Sequence, residues 1–172
     1  MTIRKTKQSD IPQIAKILLC AYQAVYSGKF SIEFLRESVT KQTEHWEKRK
    51  FNTNGSLHYV AIHENKVIAF IIGKTPEASS LEYYSANGYA ELMSISILPE
   101  YQHKGLGKML FEFIAKKFRK LGFSKMVVGT HKDNYQARKA YEKWGGILDT
   151  AYEKTSESLG HTFTEVFYIY EL

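Results

Sequence analysis

The stretch PEYQHKGLGKML, residues 99–110, sets Gly105 and Gly107 between Lys104 and Lys108 at the head of a helical run. The first turn of a helix has no carbonyls four residues back for its N–H groups, and the macrodipole adds partial positive charge there. Glycines at such a turn let a ligand approach the main chain, because no Cβ stands in the way. The apolar run AELMSISIL lies just before it, so the turn falls at the carboxyl end of a strand, where sheets open to ligands. The chemistry on offer is the binding of a phosphate or pyrophosphate. Two common phosphate motifs do not fit. A dinucleotide loop needs a third glycine where Leu110 stands, and the loop of nucleotide hydrolases needs Ser or Thr where Met109 stands. On spacing alone, a glycine turn without a ligand is the competing reading.

Charge is unevenly spread around this turn. The 172 residues carry a net charge of +6 with a pI of about 9.2. Residues 76–100 hold Glu77, Glu82, Glu91 and Glu100 and no Lys or Arg, whereas residues 102–125 hold seven Lys or Arg against Glu112 alone. This reads as a site with a cationic ligand on one side and an anionic one on the other; two solvated faces are the alternative. A basic chain also suits nucleic acid, but the basic segment 116–125 is short, its apolar stripe assigns one face to the core, and no recognition motif accompanies it. Neither nucleic acid nor membrane is expected as a partner. His45, His58, His63, His103 and His161 lack metal-ligand spacing, so no metal site is expected.

Positioning these residues requires a folded core, and 44% hydrophobic with 14% aromatic residues is ample for one. A single domain over residues 1–172 is expected. Cys20 is the one cysteine, in the apolar run ILLCAY, and reads as a small core residue of a chain in a reducing compartment. The basic N-terminus lacks the apolar core of a secretory signal, and no apolar run approaches the roughly 20 residues that span a bilayer. A cytoplasmic protein is the expectation.

Along the chain, Ile3 to Lys5 suggests a first strand. Ser9 or Asp10 caps a helix with Pro12 in its first turn, and Gly28 breaks it. Ser31 caps a second helix reaching about Arg49, followed by the turn NTNGS. LHYVAIHE and KVIAFIIGK form a hairpin about Glu64-Asn65, and residues 75–89 read as a loop. AELMSISIL is apolar on both faces, hence a central strand. A helix runs from Gly105 to Gly122, followed by the strand KMVVGT, a short helix with Ala137, Ala140, Tyr141 and Trp144 on one face, and the strands ILDTAYEKT and TFTEVFYIY about a SESLG loop. The crossover from residue 90 to 130 makes its two strands parallel, and hairpins make the others antiparallel. The fold class is α/β (α+β): one mixed, mostly antiparallel sheet with helices on its faces.

The run Gln102-His103-Lys104-Gly105-Leu106-Gly107 resembles the Gln-x-x-Gly-x-Gly signature of the GNAT superfamily of N-acetyltransferases. Asn134-x-x-Ala137-x-x-Ala140-Tyr141-x-x-x-Gly145 and the element order over nearly the whole chain fall where that family has them. One departure is Gly146, where the family usually carries Phe. The resemblance implies a GNAT-like acyl-CoA N-acyltransferase fold with a seven-stranded sheet and acetyl-CoA as acetyl donor. It implies a pyrophosphate on the main chain of residues 102–108, ending at Lys108, and a pantetheine arm along Ile95, Ser96, Ile97 and Leu98. Asn134 and Tyr141 are expected near the far end of the cofactor. It further implies Tyr141 as the acid that protonates the leaving thiolate, and Glu91 as the base or as a charge that draws in a cationic substrate, with His131 the alternative base. A backbone N–H near Ile97 would serve the oxyanion. The acceptor is expected to be a primary amine of a cationic small molecule or polyamine. The alternatives are a protein N-terminus or lysine, or a non-catalytic CoA-binding sensor. Tyr83, Tyr84 and Tyr89 either line the acceptor pocket or are exposed loop aromatics. The strand TFTEVFYIY could pair across a homodimer.

Overall fold

The computed structural model describes residues 1–26, 28–48, 51, 54–158 and 161–172. In chain order it holds β1 (Thr2–Lys5), α1 (Ile11–Tyr26), α2 (Ile32–Glu47), β2 (Ser56–His63), β3 (Lys66–Lys74), α3 (Glu82–Ser85), β4 (Ala90–Ile97), α4 (Leu106–Lys120), β5 (Lys125–His131), α5 (Tyr135–Lys143), β6 (Ile147–Ser158) and β7 (His161–Glu171). Short 3₁₀ turns occupy Gln8–Asp10, Pro76–Ala78 and Pro99–Tyr101. The seven strands form one mixed sheet in the order β1-β2-β3-β4-β5-β7-β6. β4 and β5 are parallel, while β1–β2, β5–β7 and β6–β7 are antiparallel.

The chain divides into two compact units, each built from two segments. The first is Met1–Gly73 with Ser94–Phe111. Ile14, Ile17 and Leu18 of α1 and Val39 and Trp46 of α2 pack on Val60, Phe70 and Ile72 of β2 and β3. These positions recur at helical spacing in α1 and α2, which is why the two helices each bury one stripe. Ser31 caps α2 by accepting the Phe34 N–H. The expected end of that helix at Arg49, and Asn52 and Thr53 of the NTNGS turn, lie outside the described residues. The β2–β3 turn has φ of 48° at Glu64 and 61° at Asn65, the paired left-handed residues of a type I′ hairpin.

The second unit is Lys74–Met93 with Glu112–Leu172. Here the reading of residues 75–89 as a loop is corrected. The segment folds into a 3₁₀ turn and α3, and Leu81 and Tyr84 join Val127 and Phe167 in a core cluster. A helix of four residues has no stability of its own; burial of Tyr84, 1% exposed, supplies it. The Tyr84 hydroxyl donates to Asp149 Oδ2 at 2.8 Å, and Asp149 Oδ1 accepts the Ala151 N–H at 2.9 Å. This holds the irregularity in the β6–β7 register between Leu148 and Glu153. The expected SESLG loop is also shorter than its composition suggests. Ser156, Glu157 and Ser158 pair with Phe163, Thr162 and His161, while Leu159 and Gly160 lie outside the described residues.

Of the two residues expected to cap α1, Ser9 or Asp10, Asp10 is the one whose side chain bonds here, to an amide ahead of the helix. Ser9 does not cap it; the Asp10 carboxylate accepts the Lys7 N–H at 2.8 Å and takes both Arg4 guanidinium nitrogens at 2.7 and 2.8 Å. Burial works to raise the Asp10 pKa, but the Arg4 hydrogen bonds, the Lys7 amide and the two positive charges outweigh it and hold the carboxyl below the ordinary aspartate value. A carboxyl depressed on folding stabilises the fold above its unfolded pKa of about 3.9 and loses that contribution as pH falls through its folded value. Asp10→Asn is therefore expected to cost about 1–3 kcal/mol at pH 7 in urea unfolding, with the gap to wild type closing below about pH 4. A gap that stays constant down to pH 2 would show that the ionised pair contributes nothing.

Candidate active site

The turn after β4 is built by hydrogen bonds within the first unit. The Gln102 side-chain amide donates to the Ile97 carbonyl at 2.9 Å, and the Leu98 N–H donates to the Ile68 carbonyl at 2.9 Å. The peptide joining Ile97 to Leu98 is thus engaged at both polar groups. A ligand pairing with β4 cannot take the Leu98 N–H without breaking its bond, whereas the Ile97 carbonyl keeps a second lone pair to offer. The turn then takes positive φ at His103 (58°) and Gly105 (82°). The second value favours glycine, and a Cβ at Gly105 would project into open space. Met109 N–H to Gly105 C=O at 3.1 Å is the first α-helical bond of α4, so Leu106, Gly107 and Lys108 form the first turn. His103, Lys104, Gly105 and Lys108 are exposed, Gln102 and Gly107 half-buried, and Leu106 buried beneath them. The Lys104 ammonium folds back to the Glu100 carbonyl at 2.8 Å, across the Tyr101 ring.

β4 has a pairing pattern suited to a ligand. Its parallel register with β5 covers Ala90, Glu91 and Leu92, yet the strand runs on to Ile97. Met93 is exposed, and Ser94, Ile95, Ser96, Ile97 and Leu98 are half-buried. Residues this apolar, in the fourth strand of seven, would ordinarily be covered. An exposed glycine turn at a helix start and a central strand left half-exposed fit a cofactor with a diphosphate and an extended, hydrogen-bonding arm.

The second unit holds the titratable candidates. Glu91 is 7% exposed and its Oε2 accepts the Ser79 hydroxyl at 2.6 Å. Glu165 of β7 is a second carboxyl in this region. Its pKa is raised first by burial and further by the charge of Glu91, against the pull of Lys154. His131 ends β5 opposite Glu165, with its ring 4.9 Å from Phe163. Burial lowers its pKa more than Asp133 raises it, so it is neutral at pH 7. Of the tyrosines in segment 75–89, Tyr84 is core, and Tyr83 stacks on Tyr152 at 4.6 Å.

Tyr141 lies on α5, 6% exposed, with its ring 5.8 Å from Trp144 and 5.9 Å from Tyr168. Burial pushes its phenol pKa well above the ordinary value, so it keeps its proton at physiological pH. Asn134 is the N-cap of α5, its Oδ1 accepting the Ala137 N–H at 3.1 Å. Arg138 and Glu142 of the same helix both engage the Tyr168 hydroxyl, at 3.2 and 2.8 Å. The helix end is fixed at the Tyr141 carbonyl, which accepts the Tyr170 hydroxyl at 3.0 Å and the Gly146 N–H at 2.9 Å.

Gly146, the departure noted in the sequence, now has a cause. A Cβ placed there would lie 2.6 Å from the Tyr170 hydroxyl and 3.0 Å from the Tyr141 carbonyl. Tyr170 occupies the space that a side chain at 146 would need. Sequence reasoning missed Tyr170, Ser79 and Glu165. For Tyr170 a signal existed, because a glycine in place of Phe leaves volume that another large residue must fill.

Comparison with known proteins bears on the family and the fold. The model of the acetyltransferase (GNAT) family matches residues 12–146. An uncharacterised N-acetyltransferase of Lactobacillus delbrueckii subsp. lactis is 31% identical over 147 residues, 83% of this chain and 82% of that protein. Spermidine N(1)-acetyltransferase of Thermoplasma acidophilum is 22% identical over 146 residues, 83% of this chain and 86% of that protein. Among solved structures, PaiA N-acetyltransferase from Thermoplasma acidophilum in complex with coenzyme A shares the fold, with a TM-score of 0.73 and 21% identity over 99% of this chain and 98% of that one. The chain belongs to the acetyltransferase (GNAT) family. The class so defined is an enzyme that takes its acetyl group from acetyl-CoA.

Gly146→Ala is expected to cost about 1–3 kcal/mol by overpacking against Tyr170. In a Tyr170→Ala background, already destabilised, the further cost of Gly146→Ala should largely vanish. Denaturant unfolding of the four proteins measures this, and equal costs in both backgrounds would disprove the contact.

Proposed function

We propose that the protein transfers an acetyl group from acetyl-CoA to a primary amine of a cationic small molecule, a polyamine being the best fit. The observation that carries the acceptor class is Glu91, a carboxylate 7% exposed within a segment, residues 76–100, that has four Glu and no Lys or Arg. The similarity to a spermidine acetyltransferase supports it.

When bound, acetyl-CoA supplies an acetyl thioester. The amides of the turn 103–108 bind the diphosphate, with Lys104 and Lys108 at its rim and Gln102 bracing the turn. Ile95, Ser96 and Ile97 offer β4 backbone to the pantetheine arm, and Asn134 orders the helix that carries Tyr141. A backbone N–H near Ile97 donates to the carbonyl oxygen as charge develops there. A lysine-like amine is neutral in only about one molecule in 2,500 at pH 7, so the attacking nitrogen must shed a proton. That proton goes to solvent before attack, and Glu91 takes the next one through a water relay as the C–N bond forms and then releases it to solvent. Tyr141 gives its phenol proton to the sulfur as the C–S bond breaks, and recovers one from solvent. Two protons leave the ammonium nitrogen and one arrives on the thiol, so one net proton passes to solvent and the charges balance.

Thiol release from acetyl-CoA with spermidine, spermine, an aminoglycoside and a lysine-containing peptide tests this reading. The polyamines should be turned over fastest. Tyr141→Phe should lower kcat by about 100-fold or more while leaving acetyl-CoA affinity nearly unchanged; turnover equal to wild type would remove Tyr141 from the mechanism. Tight acetyl-CoA binding with no turnover of any amine would favour a sensor instead.

The rate should rise from pH 7 toward about pH 10 as the amine deprotonates, because burial keeps the Tyr141 phenol protonated beyond its ordinary value of about 10. A decline in kcat setting in near pH 8.5 would contradict that assignment.

A further inference from the structure

A carboxylate buried on a strand needs donors to hold it, and its reactivity depends on which oxygen they occupy. Glu91 stands between Ala90 and Leu92, both fully buried, so its immediate neighbours along the chain offer no polar side chain. Ser79, twelve residues earlier, reaches it. A serine hydroxyl has one hydrogen to donate. The Ser79 Oγ accepts the Leu81 N–H at 3.1 Å and lies 2.6 Å from Glu91 Oε2, in the range of a hydrogen bond to an ionised oxygen. With the lone pair side turned to Leu81, the hydrogen is left for Glu91.

Ser79 is itself firmly placed. Its N–H donates to the carbonyls of Thr75 and Pro76, at 3.1 and 3.3 Å. On its other side Leu81 and Tyr84 are buried, and the Tyr84 hydroxyl is tied to Asp149. The hydroxyl therefore sits on a rigid platform. Glu165 opposes it in one respect, since its like charge acts on Glu91 and favours displacement of the carboxylate.

We infer that Ser79 is a positioning residue, fixing the Glu91 carboxylate by Oε2 so that Oε1 is the oxygen that takes the proton of the acceptor amine. This rests on the reading of Glu91 as the base. A purely structural role, in which Ser79 only closes the turn with Leu81, makes a different set of predictions.

The test compares Ser79→Ala, Ser79→Thr, Glu91→Gln and the Ser79→Ala/Glu91→Gln pair in full-length protein, with spermidine as acceptor. The readouts are kcat, KM for the amine, acetyl-CoA affinity and melting temperature. Loss of a hydrogen bond to a charged group should lower kcat of Ser79→Ala by about 10- to 100-fold, with acetyl-CoA affinity and melting temperature near wild type. Ser79→Thr, which keeps the hydroxyl, should recover most of the activity, and this variant also decides the matter if Ser79→Ala folds poorly. In the Glu91→Gln background, Ser79→Ala should add no further loss. Wild-type kcat in Ser79→Ala beside a crippled Glu91→Gln overturns the inference and spares the base. Equal losses from Ser79→Ala in both backgrounds, or a Ser79→Thr as slow as Ser79→Ala, also overturn it. An active Glu91→Gln overturns the base reading itself, and the inference with it.

Discussion

The peptide between Ile97 and Leu98 is held at both of its polar groups, by the Gln102 side chain and by the Ile68 carbonyl. A peptide so held cannot rotate without breaking two hydrogen bonds. It sets where β4 ends and the direction in which the chain leaves the sheet. The left-handed residues His103 and Gly105 then turn the chain into α4. The shape of this turn therefore owes much to neutral hydrogen bonds and a glycine. The Lys104 ammonium, folded onto the Glu100 carbonyl, adds one charge-assisted bond within the same turn.

In the second unit the groups suited to proton transfer are kept out of water. Tyr141 and Glu91 are both buried, and each is held by a residue distant in sequence: Tyr170 fixes the helix end at Tyr141, and Ser79 grips Glu91. Burial has opposite consequences for different groups. It holds the Tyr141 phenol protonated, as an acid requires, and it keeps His131 neutral. It also strengthens the interaction between the Glu91 and Glu165 charges, which acts to raise the pKa of Glu165. The platform carrying Ser79 depends on Tyr84, whose phenol reaches the irregularity of β6 through Asp149.

Local chemistry was legible wherever a few adjacent residues decide the backbone. Glu64-Asn65 forms a hairpin turn in which Asn65 readily takes the left-handed region and Glu64 is carried into it by the twist of the flanking strands. Ser31 caps a helix three residues on. Residues 75–89 were not legible, because α3 exists only through the burial of Leu81 and Tyr84 against β5 and β7. The polar residues 156–158 looked like a loop, yet they pair because β7 lies opposite them. Ser9 or Asp10 read as the cap of α1, and of these the Asp10 carboxylate bonds to Arg4 and to the Lys7 amide ahead of the helix, partners that only the fold brings beside it.

By itself the sequence determined the element order, the parallel crossover and the glycine turn, which follow from periodicity and residue type, and it carried a resemblance to the acetyltransferase family in two motifs, Gln102 to Gly107 and Asn134 to Gly145. Tertiary structure alone decided that β4 outruns its parallel pairing with β5 after Leu92, that Tyr170 fills the space above Gly146, and that Ser79 holds Glu91. The physical reason is the same in each case. Residues 12 to 36 positions apart meet only after the sheet has formed, and a pairing, hydrogen bond or contact of that kind leaves no period in the sequence to read.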